Sequence, residues 1–342
     1  MGYWQRKRLI SLVSVAIISG LGVSACAPST PEVAETPAVV ADVPAQPKIQ
    51  VVAANSVICD LTRQVGGDRI NLVCLIPAGQ DPHEYKPTAE DAKVLETAQL
   101  VLYGGYNFEE GLTKLLKTDK GKRVAIGELA VPKPIVVEGG HSHGEHDHGK
   151  EDNKGKAEPD PHVWHSAQNG IKMVETIAQQ LSTVDPAHKE IYAQNAQTLI
   201  QELGRLDTWI KTQIATIPAD RRKLVTTHSA LGYYAQAYGI PVQSALLGIS
   251  TTEQASPQRV AELVEAIKSA GVPTIFAEAT ANPKLIEAVA KSAQVQVAQP
   301  SLLTDGLDPQ GQEGDTYQKM LMHNTKVIVE GLGGKFTPFT GN

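Results

Sequence analysis

Short apolar runs alternate with amphipathic stretches along most of the chain. Runs such as 49–54 have the length and β-branched content of buried strands, and each following stretch spaces its apolar residues as a helix does. The predicted strands are 49–54, 70–76, 100–103, 124–126, 223–227, 242–245, 274–277 and 295–298. The predicted helices are 56–65, 89–98, 107–116, 166–181, 230–238, 257–270, 283–293 and 317–332. This alternation predicts parallel α/β layers.

One much longer helical pattern separates the two groups of strands, at 186–217. Its apolar residues recur at alternating steps of four and three from Tyr192 to Ile210. About 30 residues extend about 45 Å, which is longer than one small domain requires. We therefore predict two α/β lobes, 49–185 and 218–336, each with a parallel sheet flanked by helices and joined by this backbone helix.

The first 26 residues have the pattern of an export signal. Three basic residues precede an apolar run, 9–23, that is too short for a comfortable membrane span. The small residues before Cys26 resemble a bacterial lipobox, which implies a lipoprotein signal peptide at 1–25 and a lipid anchor on Cys26 outside the cytoplasm. An ordinary signal peptide with an incidental cysteine is the alternative. Residues 26–48 contain five prolines and predict an extended tether.

Composition limits the classes of function. The chain is 42% hydrophobic and 20% charged, so it can bury a sizeable core. Its 31 basic and 37 acidic residues leave no positive surplus, which argues against nucleic-acid binding. Three cysteines are too few for a disulfide scaffold or a Cys-based zinc fold. Cys59 in the first helix and Cys74 in the next strand form either a disulfide or two separate buried thiols.

Histidine is the unusual residue type, with ten in the chain and four of them within eight residues. These four lie in the segment 139–159, which consists mainly of Gly, His and charged residues and predicts a mobile surface loop. The loop either binds auxiliary zinc weakly or is a solvated spacer. Its histidines are His141, His143, His146 and His148.

Four other side chains occupy equivalent places. His83 and His228 follow predicted strands, Asp305 follows the last one, and His162 lies where order resumes after the loop. Ligands of parallel sheets bind outside the carboxyl ends of the strands, so these residues could converge in a cleft between the lobes. Three imidazoles and one carboxylate suit four-coordinate Zn²⁺, whereas Mn²⁺ prefers more oxygen. Taken singly, each residue is more typical of a surface or turn position. The four together favour a metal site more strongly, but spacing alone leaves both interpretations open.

Four segments carry a family resemblance. They are 81–87 (DPHEYKP), 160–164 (DPHVW), 226–234 (TTHSALGYY) and 303–307 (LTDGL). In this order they resemble the metal-binding motifs of the cluster A-I solute-binding proteins, which serve ABC importers of zinc and manganese. The resemblance extends from about residue 49 to 334. It implies that His83, His162, His228 and Asp305 are the metal ligands and that a membrane permease is the partner.

The third ligand position separates subgroups of that family. Manganese members usually have Glu there and zinc members His, and this chain has His228. The segment 141–148 is also similar to the His-rich loop of the zinc-specific ZnuA type. The resemblance thus implies a monomeric zinc-binding lipoprotein that captures Zn²⁺ as transported ligand and is not an enzyme.

Some alternatives stay open. Glu278 is expected either to accept a hydrogen bond from a ligand imidazole or simply to line the cleft, and His165 to lie on the surface or behind the ligands. His188 and His323 are expected on helix surfaces. A manganese-binding protein is the main rival function. A zinc hydrolase would need an open coordination position and a positioned base, and nothing in the sequence supports an adhesin.

Overall fold

The computed structural model describes residues 47–117, 121–138 and 157–341. Several sequence predictions lie outside the described residues. They are the signal peptide 1–25, the lipidated Cys26, the tether up to residue 46, and the loop histidines His141, His143, His146 and His148.

The first lobe is built on a four-stranded parallel sheet. Its strands are β1 (Ile49–Ala53), β2 (Ile70–Cys74), β3 (Leu100–Tyr103) and β4 (Lys122–Ala125), in the order β2-β1-β3-β4. Its helices are α1 (Ser56–Gly66), α2 (Ala89–Thr97), α3 (Thr113–Leu116), α4 (Ile126–Ala130) and α5 (Ala167–Val184). Val51 pairs with Leu72 on one edge and Leu100 on the other, which makes β1 a central strand.

Local sequence signals fix where the first helices begin. Asn55 lies two residues after the end of β1, and its side chain accepts the backbone N–H of Ile58 at the start of α1. Thr88 and Asp91 form a capping box at the start of α2. The loop after β1 is therefore short, and the longer segment 75–88 after β2, which carries His83, ends at a defined helix cap.

The long helix is α6 (Lys189–Ala215), which follows a 3₁₀ turn at Pro186–His188. Its 27 residues extend about 40 Å at 1.5 Å per residue. Its buried side chains keep the spacing seen in the sequence and include Tyr192, Ala196, Leu199, Leu203, Leu206 and Ile210. The helix packs against α5, α1 and α10 (Tyr317–Gly331), so it contacts elements of both halves of the chain.

The second lobe has shorter strands. They are β7 (Leu224–Thr226), β8 (Val242–Ala245), β9 (Thr274–Ile275) and β10 (Gln296–Val297), with parallel pairs β7–β8 and β9–β10. A parallel bridge between Thr226 and Phe276 joins the pairs, which gives the order β8-β7-β9-β10. Its other helices are α7 (Gly232–Tyr238), α8 (Pro257–Ala270) and α9 (Pro283–Ala293). Numbered within each lobe, the order of the four strands matches that of the first sheet.

One apolar core extends through both lobes. The largest cluster is continuous from the first sheet through α1, α5, α6 and α10 to α7, and it buries Trp164, Tyr192 and Tyr317 completely. Two smaller clusters lie on the outer sides, one under α2 and α3 and one under α8 and α9. Separating the lobes as rigid bodies would expose part of the shared cluster to water, which is unfavourable.

The predicted α/β architecture with a long central helix is confirmed, and local differences have identifiable causes. Residues 107–116 form only a 3₁₀ turn and the short α3, because Tyr106 and Asn107 have positive φ and a Cβ on Gly111 would meet the carbonyl of Tyr85. The loop predicted at 139–159 is shorter, because strand β6 (Ala157–Pro159) pairs antiparallel with β5 (Val136–Glu138).

Two histidine predictions need comment. His323 is buried, not on a helix surface, because α10 is enclosed on nearly all sides, and its Nε2 donates to the carbonyl of Ser301 at 2.9 Å. His188 is half-buried in the 3₁₀ turn before α6, where its Nδ1 contacts Asp185 Oδ2 at 2.7 Å. Neither residue belongs to the cluster of potential metal ligands among the described residues.

Cys59 and Cys74 are joined by a disulfide, with Cα atoms 5.7 Å apart. The bridge connects α1 to β2, the strand that precedes the turn with His83. None of the described helices combines the length and apolar composition that a membrane crossing requires.

Candidate metal centre

Four side chains meet in the cleft between the lobes: His83, His162, His228 and Asp305. All four are buried, and one potential ligand atom from each lies within 4.8 Å of the others. The Nε2 atom of His162 is 3.3 Å from that of His228 and 3.4 Å from that of His83. The residues that the sequence singled out separately are therefore brought together by the fold.

Two of these ligands occupy the same kind of turn. His83 follows β2 and His162 follows β6, and each is preceded by Asp-Pro. The backbone N–H of His83 donates to Asp81 Oδ1, and that of His162 donates to Asp160 Oδ1, both at 2.9 Å. In each segment the aspartate folds the chain into an Asx-type turn that presents the histidine two residues later.

The second lobe supplies the other two ligands from loops at the carboxyl ends of its strands. His228 lies two residues after β7, and Asp305 lies in the loop between β10 and α10. Asn324 of α10 fixes the start of that loop, because its side chain bonds both the N–H and the carbonyl of Leu303, at 2.8 and 2.7 Å. A buried polar residue of the last helix thus anchors the segment that carries Asp305.

The two carboxylate oxygens of Asp305 have different surroundings. Oδ2 accepts from Thr280 Oγ1 at 2.8 Å and from Thr304 Oγ1 at 3.3 Å. Oδ1 is buried and has no hydrogen-bond partner among the described residues. The three histidine Nε2 atoms surround it at 3.2 Å (His228), 3.3 Å (His162) and 3.7 Å (His83). Oδ1 is therefore directed at the point where the imidazoles converge.

Carboxylates also hold the outer nitrogens of two ligand rings. His162 Nδ1 contacts Asp160 Oδ1 at 2.8 Å, and His228 Nδ1 contacts Glu278 Oε2. Glu278 Oε1 in addition accepts the backbone N–H groups of Thr227 and His228 at 2.9 and 3.0 Å. Because a carboxylate can only accept, each Nδ1 donates, and in the neutral ring Nε2 presents its lone pair to the centre.

His83 is held differently from the other two histidines. Its Nδ1 is buried and has no hydrogen-bond partner among the described residues. The ring packs edge-on against Phe108, with centroids 5.0 Å apart. A cavity of about 420 Å³ opens beside His83, and its rim includes Glu110, Glu158 and Glu253. His83 is thus the ligand nearest to an opening and the one with the fewest constraints.

The charges of the site are strongly coupled. Burial disfavours the charged form of His228, but the carboxylates of Asp305 and Glu278 outweigh it and raise the pKa of His228 well above its ordinary value of 6.5. Burial would raise the pKa of Asp305, yet the charge of His228 and the contacts with His162 and His83 hold that pKa well below 3.8. A positive ion at this point would replace protons as the partner of the carboxylates.

His165 lies directly behind the ligands and not on the surface. It is fully buried, and its Nε2 donates to the carbonyl of Thr304 at 2.8 Å. Burial, together with the charge of His162, lowers the pKa of His165 to about 3, so the ring is neutral. It holds the backbone next to Asp305 and does not reach the centre itself.

Sequence reasoning missed several residues that hold the ligands. Asp160 was visible as the residue two positions before His162, but it was considered only as part of the segment 160–164 and was given no role of its own. Thr280, Thr304 and Asn324 carry no local signal, because their contacts depend on how α10 and the strand ends pack. Glu278 was singled out, and it lies beside His228, as described above.

Comparison with known proteins gives consistent results. The family model described as "ZnuA: Zinc-uptake complex component A periplasmic" matches residues 51–331. The chain is 35% identical over 289 residues to the manganese ABC transporter substrate-binding lipoprotein PsaA of Streptococcus mitis, covering 83% of this chain and 89% of that protein. It has the same identity and coverage to the metal ABC transporter substrate-binding lipoprotein ScbA of Streptococcus cristatus.

Solved structures agree. The periplasmic zinc binding protein TroA from Treponema pallidum superimposes with a TM-score of 0.75 at 30% identity, covering 84% of this chain and 99% of that one. Relatives of this kind are substrate-binding proteins of transport systems and not enzymes. The chain therefore belongs to the ZnuA family of metal-binding periplasmic substrate-binding proteins.

Proposed function

We propose that this protein captures Zn²⁺ outside the cytoplasmic membrane and delivers it to the permease of an ABC importer. His83, His162, His228 and Asp305 are the proposed ligands, with the zinc ion as cargo and not as a resident cofactor. The family and the buried cluster support capture of a divalent metal. The choice of zinc rests on the geometry of the cluster.

The observation that carries this proposal is the spacing of the ligand atoms. Ligands about 2.05 Å from a tetrahedral zinc ion are about 3.3 Å apart. The Nε2 atom of His162 is 3.4 Å from that of His83 and 3.3 Å from that of His228, the Nε2–Asp305 Oδ1 separations are 3.2, 3.3 and 3.7 Å, and one ligand atom from each residue lies within 4.8 Å of the others. The cluster therefore has the dimensions of one compact four-coordinate site.

Oxygen donors for a larger coordination shell are already engaged. Asp305 Oδ2 accepts hydrogen bonds from two threonines, which favours coordination through Oδ1 alone. Glu278 is occupied by His228 Nδ1 and two backbone N–H groups. Mn²⁺ prefers more oxygen ligands and higher coordination numbers than this arrangement offers.

Manganese is the second candidate, and one observation favours it. The PsaA relative at 35% identity is named for manganese, whereas the TroA structure at 30% identity is named for zinc. Relatives of similar distance thus carry both names, and the donor set of this chain decides between them in our proposal.

Membrane attachment belongs to the same proposal. The relatives PsaA and ScbA are named lipoproteins, and Cys26 follows Ser24 and Ala25 in a lipobox-like segment. A lipid on Cys26, with residues 26–48 as a tether, would keep the metal-loaded protein close to its permease. We propose an extracytoplasmic, membrane-anchored location on this basis.

Metal titration of the purified chain tests the proposal. After removal of metal with a chelator, we expect one tight Zn²⁺ site per chain that His162→Ala weakens severely. His188→Ala is the matched control, because His188 lies in the turn before α6, away from the cluster. Unchanged zinc binding in His162→Ala, or equal losses in both variants, would contradict the assignment.

A further inference from the structure

The hydrogen bonds between the two lobes are unevenly distributed around the candidate metal centre. On the side of Asp305 the contacts are multiple. The carbonyl of Thr304 accepts from Trp164 Nε1 at 3.1 Å and from His165 Nε2 at 2.8 Å. Both donors belong to the first lobe and are buried, so this second-lobe ligand is held from across the cleft.

The chain next to His162 is also hydrogen-bonded to the second lobe. Tyr233 of α7 donates through its hydroxyl to the carbonyl of Asp160 at 3.0 Å and accepts the N–H of Ile135. Farther along the cleft, the N–H of Leu307 donates to Ser56 Oγ at 3.0 Å, and the carbonyl of Leu307 accepts the N–H of Gly79, in the loop that carries His83, at 2.9 Å. These bonds join the lobes at two sides of the cluster.

On the side of His83 that faces the cavity, fewer hydrogen bonds join the two lobes. Among the described residues, one hydrogen bond links the second-lobe segment 247–256 to the first lobe, from Thr251 Oγ1 to Asp81 Oδ2 at 2.6 Å. The other oxygen of the same carboxylate accepts the N–H of His83. Asp81 therefore contacts the ligand turn with one oxygen and the opposite lobe with the other.

The segment around Thr251 is otherwise bonded to its own lobe. Glu253 accepts the N–H groups of Gly248 and Ser250 at 3.1 and 3.2 Å. The carbonyl of Gly248 accepts the N–H of Ser229, the residue after the ligand His228. Ser250 and Glu253 also line the cavity beside His83. The Asp81–Thr251 bond thus crosses the cleft where the cluster is nearest to solvent.

We propose that Asp81 is a positioning residue for metal exchange: by bonding both the His83 turn and Thr251, it closes the cleft at the cavity beside His83 and sets the rate at which metal leaves. The inference rests on the proposed function. Breaking the bond loosens the cavity side of the His83 turn without removing any ligand, while the contacts around Asp305 and His162 and the bond from Gly79 to Leu307 stay in place. The dissociation rate should then rise while the four ligands remain the same.

The test compares zinc release from the purified full chain in Thr251→Val, Thr251→Ser and wild type. Release into excess chelator is followed by stopped flow. Thr251→Val removes the hydroxyl at nearly constant volume, and we expect release about tenfold faster, since hydrogen bonds to charged groups contribute clearly to stability. Thr251→Ser keeps the hydroxyl and should stay within about twofold of wild type.

Asp81→Ala completes the experiment. It should accelerate release at least as much as Thr251→Val, and the double variant should release no faster than Asp81→Ala alone, because both changes break the same bond. Wild-type release from Thr251→Val, or equally fast release from Thr251→Ser, would overturn the proposal. If the wild-type chain binds no zinc tightly, the proposed function itself is wrong, and the two failures are thus distinguishable.

Discussion

In the first lobe each parallel strand pair is three to five residues long, whereas the pairs of the second lobe are two or three residues long and are joined by isolated bridges. The hydrogen bonds that hold the ligand side chains do not follow this difference in regularity. His228 and Asp305, from the less regular lobe, are held by Glu278, Thr280 and Thr304. His83, from the loop after the regular sheet, has no partner on its outer nitrogen among the described residues.

The comparison shows that sheet regularity does not decide how firmly a ligand is held. Buried side-chain hydrogen bonds do, because an imidazole tied at Nδ1 has one ring orientation left. His228, Asp305 and, through Asp160, His162 thus form the fixed part of the site, and His83 supplies the adaptable part. Four experiments test and sharpen this comparison, from the largest expected effect to the smallest.

The largest difference should appear between His228→Ala and His83→Ala in the metal-free chain. His228→Ala leaves the buried carboxylate of Glu278 without its imidazole partner, and we expect the free energy of unfolding to fall by about 3 kcal/mol. His83→Ala leaves no buried charge unpaired and should cost about 1 kcal/mol. Urea denaturation in the presence of chelator measures the free energy of unfolding of both variants. Equal losses would remove the distinction between the fixed ligands and His83.

Replacing the carboxylates that bond the Nδ1 atoms of the ligand rings, Glu278 and Asp160, should have the next largest effect. Their loss typically weakens metal binding 10- to 100-fold, so we expect about 100-fold for Glu278→Gln and about tenfold for Asp160→Asn. Glu278 has the larger effect because it also fixes two backbone N–H groups. Competition with a zinc chelator gives the affinities. Glu158→Gln, on the rim of the cavity, serves as the control, and a loss there as large as in Glu278→Gln would contradict the ranking.

His228→Glu tests whether this ligand position decides the preference between zinc and manganese. Glutamate replaces a nitrogen donor by one or two oxygens, which favours the harder Mn²⁺ relative to Zn²⁺. The absolute order can survive, since zinc exceeds manganese in intrinsic affinity. Paired competition titrations at fixed pH measure the zinc-to-manganese affinity ratio. A ratio equal to that of wild type would mean that this position does not decide selectivity.

The smallest effect on the tight site should follow replacement of the His-rich segment. Glu138 and Ala157 are paired in the β5–β6 hairpin, so residues 139–156 can be replaced by Asn-Gly, a favoured two-residue turn. We expect one tight zinc site to remain and weaker zinc binding to disappear. Isothermal titration resolves the two classes, and loss of the tight site would make the segment part of the centre.

Much of this site could be predicted because its ligands carry local signals. His83 and His162 lie in Asp-Pro-His turns, and His228 directly follows an apolar strand. The long helix was equally visible, since its buried positions keep one period for 27 residues. These features depend on residues close together in sequence, and the sequence predicted them.

Other features depend on packing over long sequence distances. Thr251 and Asp81 are 170 residues apart, and neither residue type indicates a contact between the lobes. The surface prediction for His323 was wrong because helical periodicity does not show that α10 is enclosed on nearly all sides. The hairpin β5–β6 was missed because strands of three residues are too short for a period to be recognised.

The central claim is that one metal ion binds between the lobes with three histidines and a single aspartate oxygen. Anomalous diffraction at the zinc edge from crystals of the zinc-loaded chain tests it most directly. We predict one strong peak about 2.0–2.1 Å from the Nε2 atoms of His83, His162 and His228 and from Asp305 Oδ1. A peak elsewhere, or a zinc ion with an exchangeable water in place of Asp305, would contradict the account.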